Sequence, residues 1–419
     1  MFKRITGTRD ILPEQTGWWQ KIEAISRKVF FLYDYQEIRP PLIEEASLFN
    51  RSLGETAEIV QKQMFLIHRE DESYALRPEG TASIVRAYVE NSLDKSRGFS
   101  KFFYMGPMFR MERPQKGRLR QFHHIGCEAI GSRDPEIDIE VITLADSLLK
   151  AYGISGYTVV INSLGCPEDR KKLSASLRER LKAVREGLCD DCKLRYEKNI
   201  LRILDCKNEE CRRLVSWPSE AGGCLCTECS AHFDRVKRGL DVLKVNYQVS
   251  PTLVRGLDYY TGTVFEFKHP GLGPQQDALG AGGRYDNLVK ELGGPDLGAI
   301  GFAFGVERLQ LASEQTPQAQ PKAELSFVIP LGEAARQPAF ELLYSLREQG
   351  IQADTDYEGR SLKSSLRRAN DLGARFALIL GEDELKEHSV MVKDLAAGKQ
   401  EKVPLDKIGV YIKEVRSGS

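Results

Sequence analysis

From Glu14 to Tyr33 apolar and charged positions recur at helical spacing, and the chain then enters Ile38-Arg39-Pro40-Pro41-Leu42-Ile43. Proline lacks an amide donor and pushes its predecessor out of the helical region, so this stretch must be extended. Short β-favouring runs follow at Ser73–Leu76, Lys101–Met105 and Gln121–Ile130, broken by a helix-like stretch from Thr81 to Leu93. Strands in this order predict hairpins of an antiparallel sheet. Helical spacing returns from Glu136 to Tyr152. Beyond Gly165 the character changes: Leu173, Leu177, Leu181, Val184 and Leu188 mark one face of a strongly charged helix from Arg170 to Leu188. Strand-like sequence resumes only at Gly262–Lys268 and Ala299–Phe304. The sheet domain is therefore expected to be split into residues 1–168 and 250–312, around a helical, cysteine-rich insertion at 169–249.

Ala312–Glu324 is rich in Gln, Pro and Ala and has no periodicity, which predicts a solvated linker. A second domain at 324–419 is expected from the alternation of strand Ser326–Pro330, helix Ala334–Gln349, strand Ile351–Tyr357, helix Ser361–Leu372 and strand Phe376–Leu380. That is the rhythm of an α/β sheet. Gly350 and Gly373 stand where each helix should stop, as left-handed C-caps do. No internal repeat is visible.

A length of 419 residues exceeds what one hydrophobic core organises, and 41% apolar with 29% charged residues suits packed, soluble domains. Basic and acidic residues balance at 60 each, so nucleic-acid contact would need locally concentrated cations. The first twenty residues carry charges throughout and lack the apolar core of a secretory signal. No run reaches the roughly 18 apolar residues of a membrane span. The expectation is a cytoplasmic chain without a membrane partner, whose cysteines stay thiols or bind metal.

No GxxxxGK[ST] phosphate loop is present, so bound nucleotide phosphates would have to be neutralised by arginines. Phe109 to Phe122 packs five cations around a Pro and Gly turn between two strands. Planar guanidinium groups grip phosphate oxygens in pairs and keep their charge. Charge alone would also suit a solvated hairpin tip. The flanking order decides: Phe109-Arg110-Met111-Glu112 on one strand, then Phe122 after the loop, resembles motif 2 of the class II aminoacyl-tRNA synthetases. Gly298 to Leu309, with Arg308 at a strand-to-helix turn, resembles their motif 3, and Ile38-Arg39-Pro40-Pro41 their dimer-forming motif 1. Leu253-Val-Arg255-Gly-Leu-Asp258-Tyr259-Tyr260-Thr261-Gly262 and Gly280-Ala-Gly-Gly-Arg284-Tyr285-Asp286 resemble the signatures of one family, the histidyl-tRNA synthetases. Without that resemblance the first would read as a turn before a strand and the second as a Gly-rich bend.

The resemblance spans nearly the whole chain. It implies an α+β fold: a class II catalytic domain on an antiparallel sheet, a helical insertion and a C-terminal α/β anticodon-binding domain. It implies activation of L-histidine with ATP and Mg2+ to histidyl-adenylate, and transfer to the 3′ end of tRNA(His), by a homodimer. Arg110 and Arg255 are the expected catalytic residues, at the α-phosphate and bridging it to the histidine carboxylate. Arg110, Glu112, Arg118, Phe122 and Arg308 are expected to bind ATP, with Phe122 and Arg308 sandwiching the purine. Glu79, Thr81, His124, Glu128, Arg255, Tyr259 and Tyr260 are expected to bind histidine, Glu128 and Tyr260 facing its imidazole. At His124 the family more often has glutamine. Gln115 and Arg120 are candidate contacts to the tRNA acceptor end. The competing expectation is a regulatory, non-charging paralogue of histidine biosynthesis, which lacks the tRNA-reading domain and the full arginine set.

Seven of the nine cysteines lie between Cys189 and Cys229. Cys189-x-x-Cys192 and Cys226-x-x-Cys229 have chelate spacing, and four thiolates would close a tetrahedral structural zinc site. Cys206, Cys211 and Cys224 are nearby, and buried small apolar thiols are the alternative.

Overall fold

Side chains alternate across the strands that form the main sheet. In Gln121–Ile130, Ile125, Cys127 and Ala129 belong to a core with the long helices, while Phe122, His124 and Glu128 point to the opposite face. In Thr261–Lys268, Phe265 and Phe267 join that same core, and Val264 joins the core of the other face. A period of two is what a sheet covered on both faces requires.

The computed structural model describes residues 2–54, 57–115, 117–206, 208–215, 225–273, 277–313 and 325–417. The chain divides into two compact units, residues 1–316 and 317–419. In the first, eight strands run in the order Gln36–Glu37, Ser100–Phe109, Gln121–Ile130, Ala299–Gly305, Ala278–Arg284, Thr261–Lys268, Thr158–Ser163 and Tyr247–Val249. The two outermost pairings are parallel and all others antiparallel. Helices Pro13–Leu32, Pro135–Ala151 and Thr227–Val242 supply the core on one face through Trp18, Phe30, Leu144, Leu148, Phe233 and Leu240. The other face packs on helices Ala46–Leu53 and Thr81–Glu90 through Phe49, Leu53, Ile84 and Tyr88. A three-stranded antiparallel sheet of Ile43–Glu45, Glu72–Leu76 and Phe65–Arg69 lies beside them in sequence.

Several elements differ from the sequence expectation. The Gly-rich Gly280–Arg284 is part of a central strand, because its missing side chains let neighbouring strands approach closely. Strand Thr158–Ser163 was not expected at all. The charged helix spans Pro167–Lys182, and Val184 and Leu188 lie beyond its end. Among the described residues the cysteine-rich part of the expected helical insertion forms short helices, Asp190–Lys198 and Glu209–Leu214, around a 3-10 segment at Ile200–Asp205. Of the residues expected as inserted, those from Leu177 to Val215 share a small core of their own, whereas Thr227–Val242 and Tyr247–Val249 pack into the main sheet's layers.

In the second unit five strands order as Ala353–Thr355, Ser326–Pro330, Phe376–Leu380, Ser389–Asp394 and Gln400–Pro404. The first three are parallel and the last two antiparallel. Helices Arg336–Glu348 and Leu362–Asp371 end at Gly350 and Gly373, whose φ angles of 74° and 69° fit the left-handed stop. From residue 314 onward the expected linker lies outside the described residues, as does Cys224.

Candidate active site

The strand alternation that buries Ile125 and Cys127 on one side turns Phe122 and His124 toward a cleft of about 280 Å³ on the other, with Glu128 on the same face behind the lining residues Thr81 and Tyr285. Glu79, Thr81, Tyr104, Arg110, Glu112, Arg118, Phe122 and His124 line it from the first half of the chain. Arg255, Tyr259, Tyr260, Glu266, Tyr285 and Arg308 line it from the second. A wider cavity of about 960 Å³ continues from Arg110, Glu112, Arg118 and Arg255 toward Arg202 and Arg212 of the insertion.

Glu128 lies at the buried floor. Thr81 Oγ1 donates to its Oε1 at 2.7 Å and the Tyr285 hydroxyl to its Oε2. Register places Glu128 opposite Gly301, and a Cβ on Gly301 would stand 1.8 Å from the carboxylate, so only glycine leaves room for the acid. Burial pushes the Glu128 carboxyl up to about 8, against the pull of Tyr285 and Thr81. Glu79 is also buried, which raises its carboxyl, while the amides of Ala82 at 2.9 Å and Thr81 at 2.6 Å pull it back. Those amides open the helix Thr81–Glu90, so Glu79 rather than Thr81 acts as the helix-capping acceptor.

The cations gather at the other end. Arg110 stands over the Phe122 ring at 5.3 Å and donates to Pro78 O at 2.9 Å. Arg118 pairs with Glu112 at 3.2 Å, and Arg308 is held by Ala278 O at 2.7 Å. Arg255 pairs with Glu266 at 3.2 Å and lies over Tyr260 at 5.8 Å, while its Nε is buried with no hydrogen-bond partner among the described residues. Burial, then Arg110, Arg77 and Arg308, push the His124 imidazole well below its ordinary range, and its Nδ1 too is buried without a partner among the described residues. Packing like charges this closely costs free energy unless an anion completes the site.

All the expected ATP- and histidine-binding residues therefore line one cleft or its floor. Gln115 and Arg120 do not line it: Gln115 bridges to Arg118 across the hairpin tip, and Arg120 is held by Glu112 O and Thr6 O. The cysteine set is corrected. Cys189 and Cys192 group with Cys206 and Cys211, whereas Cys226 and Cys229 group with Cys166 and Asp169. Chelate spacing identified each pair but not its partner pair, which depends on the path of the intervening chain.

Sequence reasoning missed Glu266 and gave Tyr285 no role. Glu266 left one signal, a charge in the middle of the apolar strand Thr261–Lys268. Tyr285 left only its place in the Gly280–Asp286 signature, which does not disclose its contact to Glu128, far away in sequence. Arg284, in the same signature, is structural: fully buried, it is held by Asp138, Asp286 and Ser132 O. Asp258 likewise accepts from Asn199 at 2.8 Å, tying the insertion to the Arg255 loop.

An antiparallel sheet with an arginine-bearing hairpin and a strand-to-helix arginine at one cleft defines a class II aminoacyl-tRNA synthetase. The histidyl-tRNA synthetase family model matches residues 7–187 and 220–309, and an anticodon-binding domain model matches 326–415. The chain is similar to the histidine–tRNA ligase of Halothermothrix orenii, 46% identical over 402 residues, covering 95% of this chain and 96% of that one. Its structure is similar to that of the apo histidyl-tRNA synthetase of S. aureus, with a TM-score of 0.80, 35% identity and coverage of 98% and 99%. An ATP phosphoribosyltransferase regulatory subunit/histidyl-tRNA synthetase from Bacillus halodurans C shares the fold at 23% identity and a TM-score of 0.67, covering 91% of this chain and 98% of that one. The chain belongs to the histidyl-tRNA synthetase family.

Proposed function

We propose that this cleft holds ATP and L-histidine side by side, joins them as histidyl-adenylate and passes the histidyl group to the 3′ end of tRNA(His). The observation that carries this reading is the convergence of four guanidinium groups beside two buried acids. Arg110 would hold the α-phosphate and Arg255 would bridge it to the histidine carboxylate. Arg118 and Arg308 would face the β- and γ-phosphates, Glu112 the adenine amino group, and Phe122 with Arg308 the two faces of the purine. Glu79 and Thr81 would take the α-ammonium group. Glu128 and Tyr260 would pair with the imidazole, flanked by Tyr259, and His124 would offer its free ring nitrogen to the amino acid's backbone groups.

A histidine carboxylate oxygen attacks the α-phosphorus in line, and pyrophosphate leaves. A hydroxyl of the terminal ribose then attacks the activated carbonyl, and AMP leaves. Fixed guanidinium groups stabilise charge as it moves onto the phosphate oxygens, without needing to reorganise. Synthetases of this class use Mg2+ with ATP; Glu266 is a hard oxygen donor that this cleft could offer a hydrated ion, which would neutralise the leaving pyrophosphate.

The boundaries expected from sequence are 1–168 and 250–312 for the catalytic domain and 169–249 for the insertion; because Thr227–Val242 and Tyr247–Val249 pack with the main sheet, they are assigned to the catalytic domain, the remainder of 169–249 to the insertion, and 324–419 to the anticodon reader. In the last of these a groove of about 470 Å³ is lined by Arg336, Phe340, Tyr357 and Arg360, with both aromatics largely exposed. Aromatic faces beside guanidinium groups suit unstacked bases. Gln115 and Arg120 are assigned to the acceptor end, and the chain to a cytoplasmic homodimer; among the described residues no helix is long and apolar enough to cross a membrane. Charging of tRNA(His) with labelled histidine, set against the other amino acids, tests the reading. Histidine alone should be attached, and a regulatory paralogue would attach nothing.

A further inference from the structure

We propose that the insertion carries a structural zinc ion bound by Cys189, Cys192, Cys206 and Cys211. The four sulfurs come from three separate short elements: Cys189 and Cys192 at the start of helix Asp190–Lys198, Cys206 at the end of the 3-10 segment Ile200–Asp205, and Cys211 in helix Glu209–Leu214. All lie within 4.8 Å of one another, and Cys189 Sγ is 3.9 Å from Cys206 Sγ. Zinc–sulfur bonds of about 2.3 Å set tetrahedral sulfur–sulfur edges of about 3.8 Å, so this spacing fits one mononuclear ion. Thiols buried merely as small apolar groups need no such mutual approach.

Two further features fit a thiolate site. The Cys189 amide donates to Cys211 Sγ at 3.2 Å, a bond that stabilises negative sulfur. The surrounding core is slight: Leu177, Leu181, Leu188, Tyr196, Ile200, Ile203 and Val215 pack around Cys192, Cys206 and Cys211 with no strand among the described residues. A core this small gains its stability from a staple, and metal binding then becomes folding energy.

The second group is built for another purpose. Both Asp169 oxygens accept backbone amides, from Cys226 at 3.0 Å and from Cys166 at 3.3 Å, which caps helices Thr227–Val242 and Pro167–Lys182. That group offers three thiols and a carboxylate that serves the helix starts, so the assignment is confined to the four-thiol group, with an expected load of one ion per chain.

Cys189 and Cys206 also line the wide cavity that reaches Arg255, together with Arg202 and Arg212. The ion would hold the insertion's wall of that cavity in place and take no part in the reaction. Elemental analysis of the full chain purified without added zinc should find one equivalent. Cys206→Ser should contain one equivalent less than the unmutated chain, and Cys226→Ser should keep its full content. Exchange of cobalt into the unmutated chain, which does not depend on any variant folding, should give the intense thiolate-to-cobalt absorption of a tetrahedral sulfur site. Zinc-free folded protein that refuses cobalt, or Cys206→Ser with undiminished zinc in a folded chain, would overturn the assignment.

Discussion

Arg110, Arg118, Arg255 and Arg308 reach one cleft from segments spread over half the chain, whereas Cys189, Cys192, Cys206 and Cys211 gather from a single short stretch. The arginines hang from a packed sheet: Arg110 directly follows strand Ser100–Phe109, Arg118 lies in the hairpin joining it to Gln121–Ile130, Arg308 is in the helix that follows Ala299–Gly305, and Arg255 is in the loop between Tyr247–Val249 and Thr261–Lys268. The cysteines have no sheet beneath them and depend on turns between short helices. Segments anchored at the ends of packed strands bring like charges together before a ligand arrives. A turn-built site needs its ligand to define it.

The difference can be broken or sharpened by substitution. Arg110→Ala should cost the most in histidine-dependent pyrophosphate exchange, about 100- to 1000-fold by analogy with loss of one charge-stabilising donor, while leaving zinc content unchanged. A matching loss of zinc would show that the two regions are not independent. Glu128→Gln should raise the KM for histidine about 10- to 100-fold, since a buried polar pocket left mispaired discriminates strongly, with a smaller effect on the KM for ATP. Tyr285→Phe removes one hydrogen bond to that carboxyl group and should weaken histidine binding by roughly 5-fold, as for a lost neutral hydrogen bond of about 1 kcal/mol. Equal effects on both substrates would place Tyr285 in the scaffold alone.

Stability should carry a smaller signature of the same site. Glu128 keeps its proton in the folded chain up to about 8, whereas an unfolded glutamate releases it near about 4.3. Between those values the folded state binds the extra proton, so ligand-free stability falls as pH rises through the window. Glu128→Gln should flatten that fall in Tm measured from pH 5 to 8, and parallel slopes would contradict the assignment. The smallest effect is expected for Gln115→Ala, which should leave pyrophosphate exchange unchanged and slow only transfer to tRNA, within about 10-fold.

The same contrast explains what the sequence disclosed. The strand Gln121–Ile130 and the helix Pro135–Ala151 were legible because a buried face writes its period into the chain. Strand Ala278–Arg284 was not, since glycines chosen for close approach carry no pattern. Motif order brought the arginines into view, yet their counter-charge Glu266 and the floor contact from Tyr285 arise only when distant strands pair. Chelate spacing disclosed each cysteine pair, and the chain path then matched Cys189 and Cys192 with Cys206 and Cys211.

Histidine-dependent exchange of labelled pyrophosphate into ATP, run on the unmutated chain beside Arg255→Ala, bears most directly on the convergence of guanidinium groups at one triphosphate. The unmutated chain should exchange with L-histidine, and the variant should be folded and silent. No exchange in the unmutated chain, or near-normal exchange in the variant, would contradict the account.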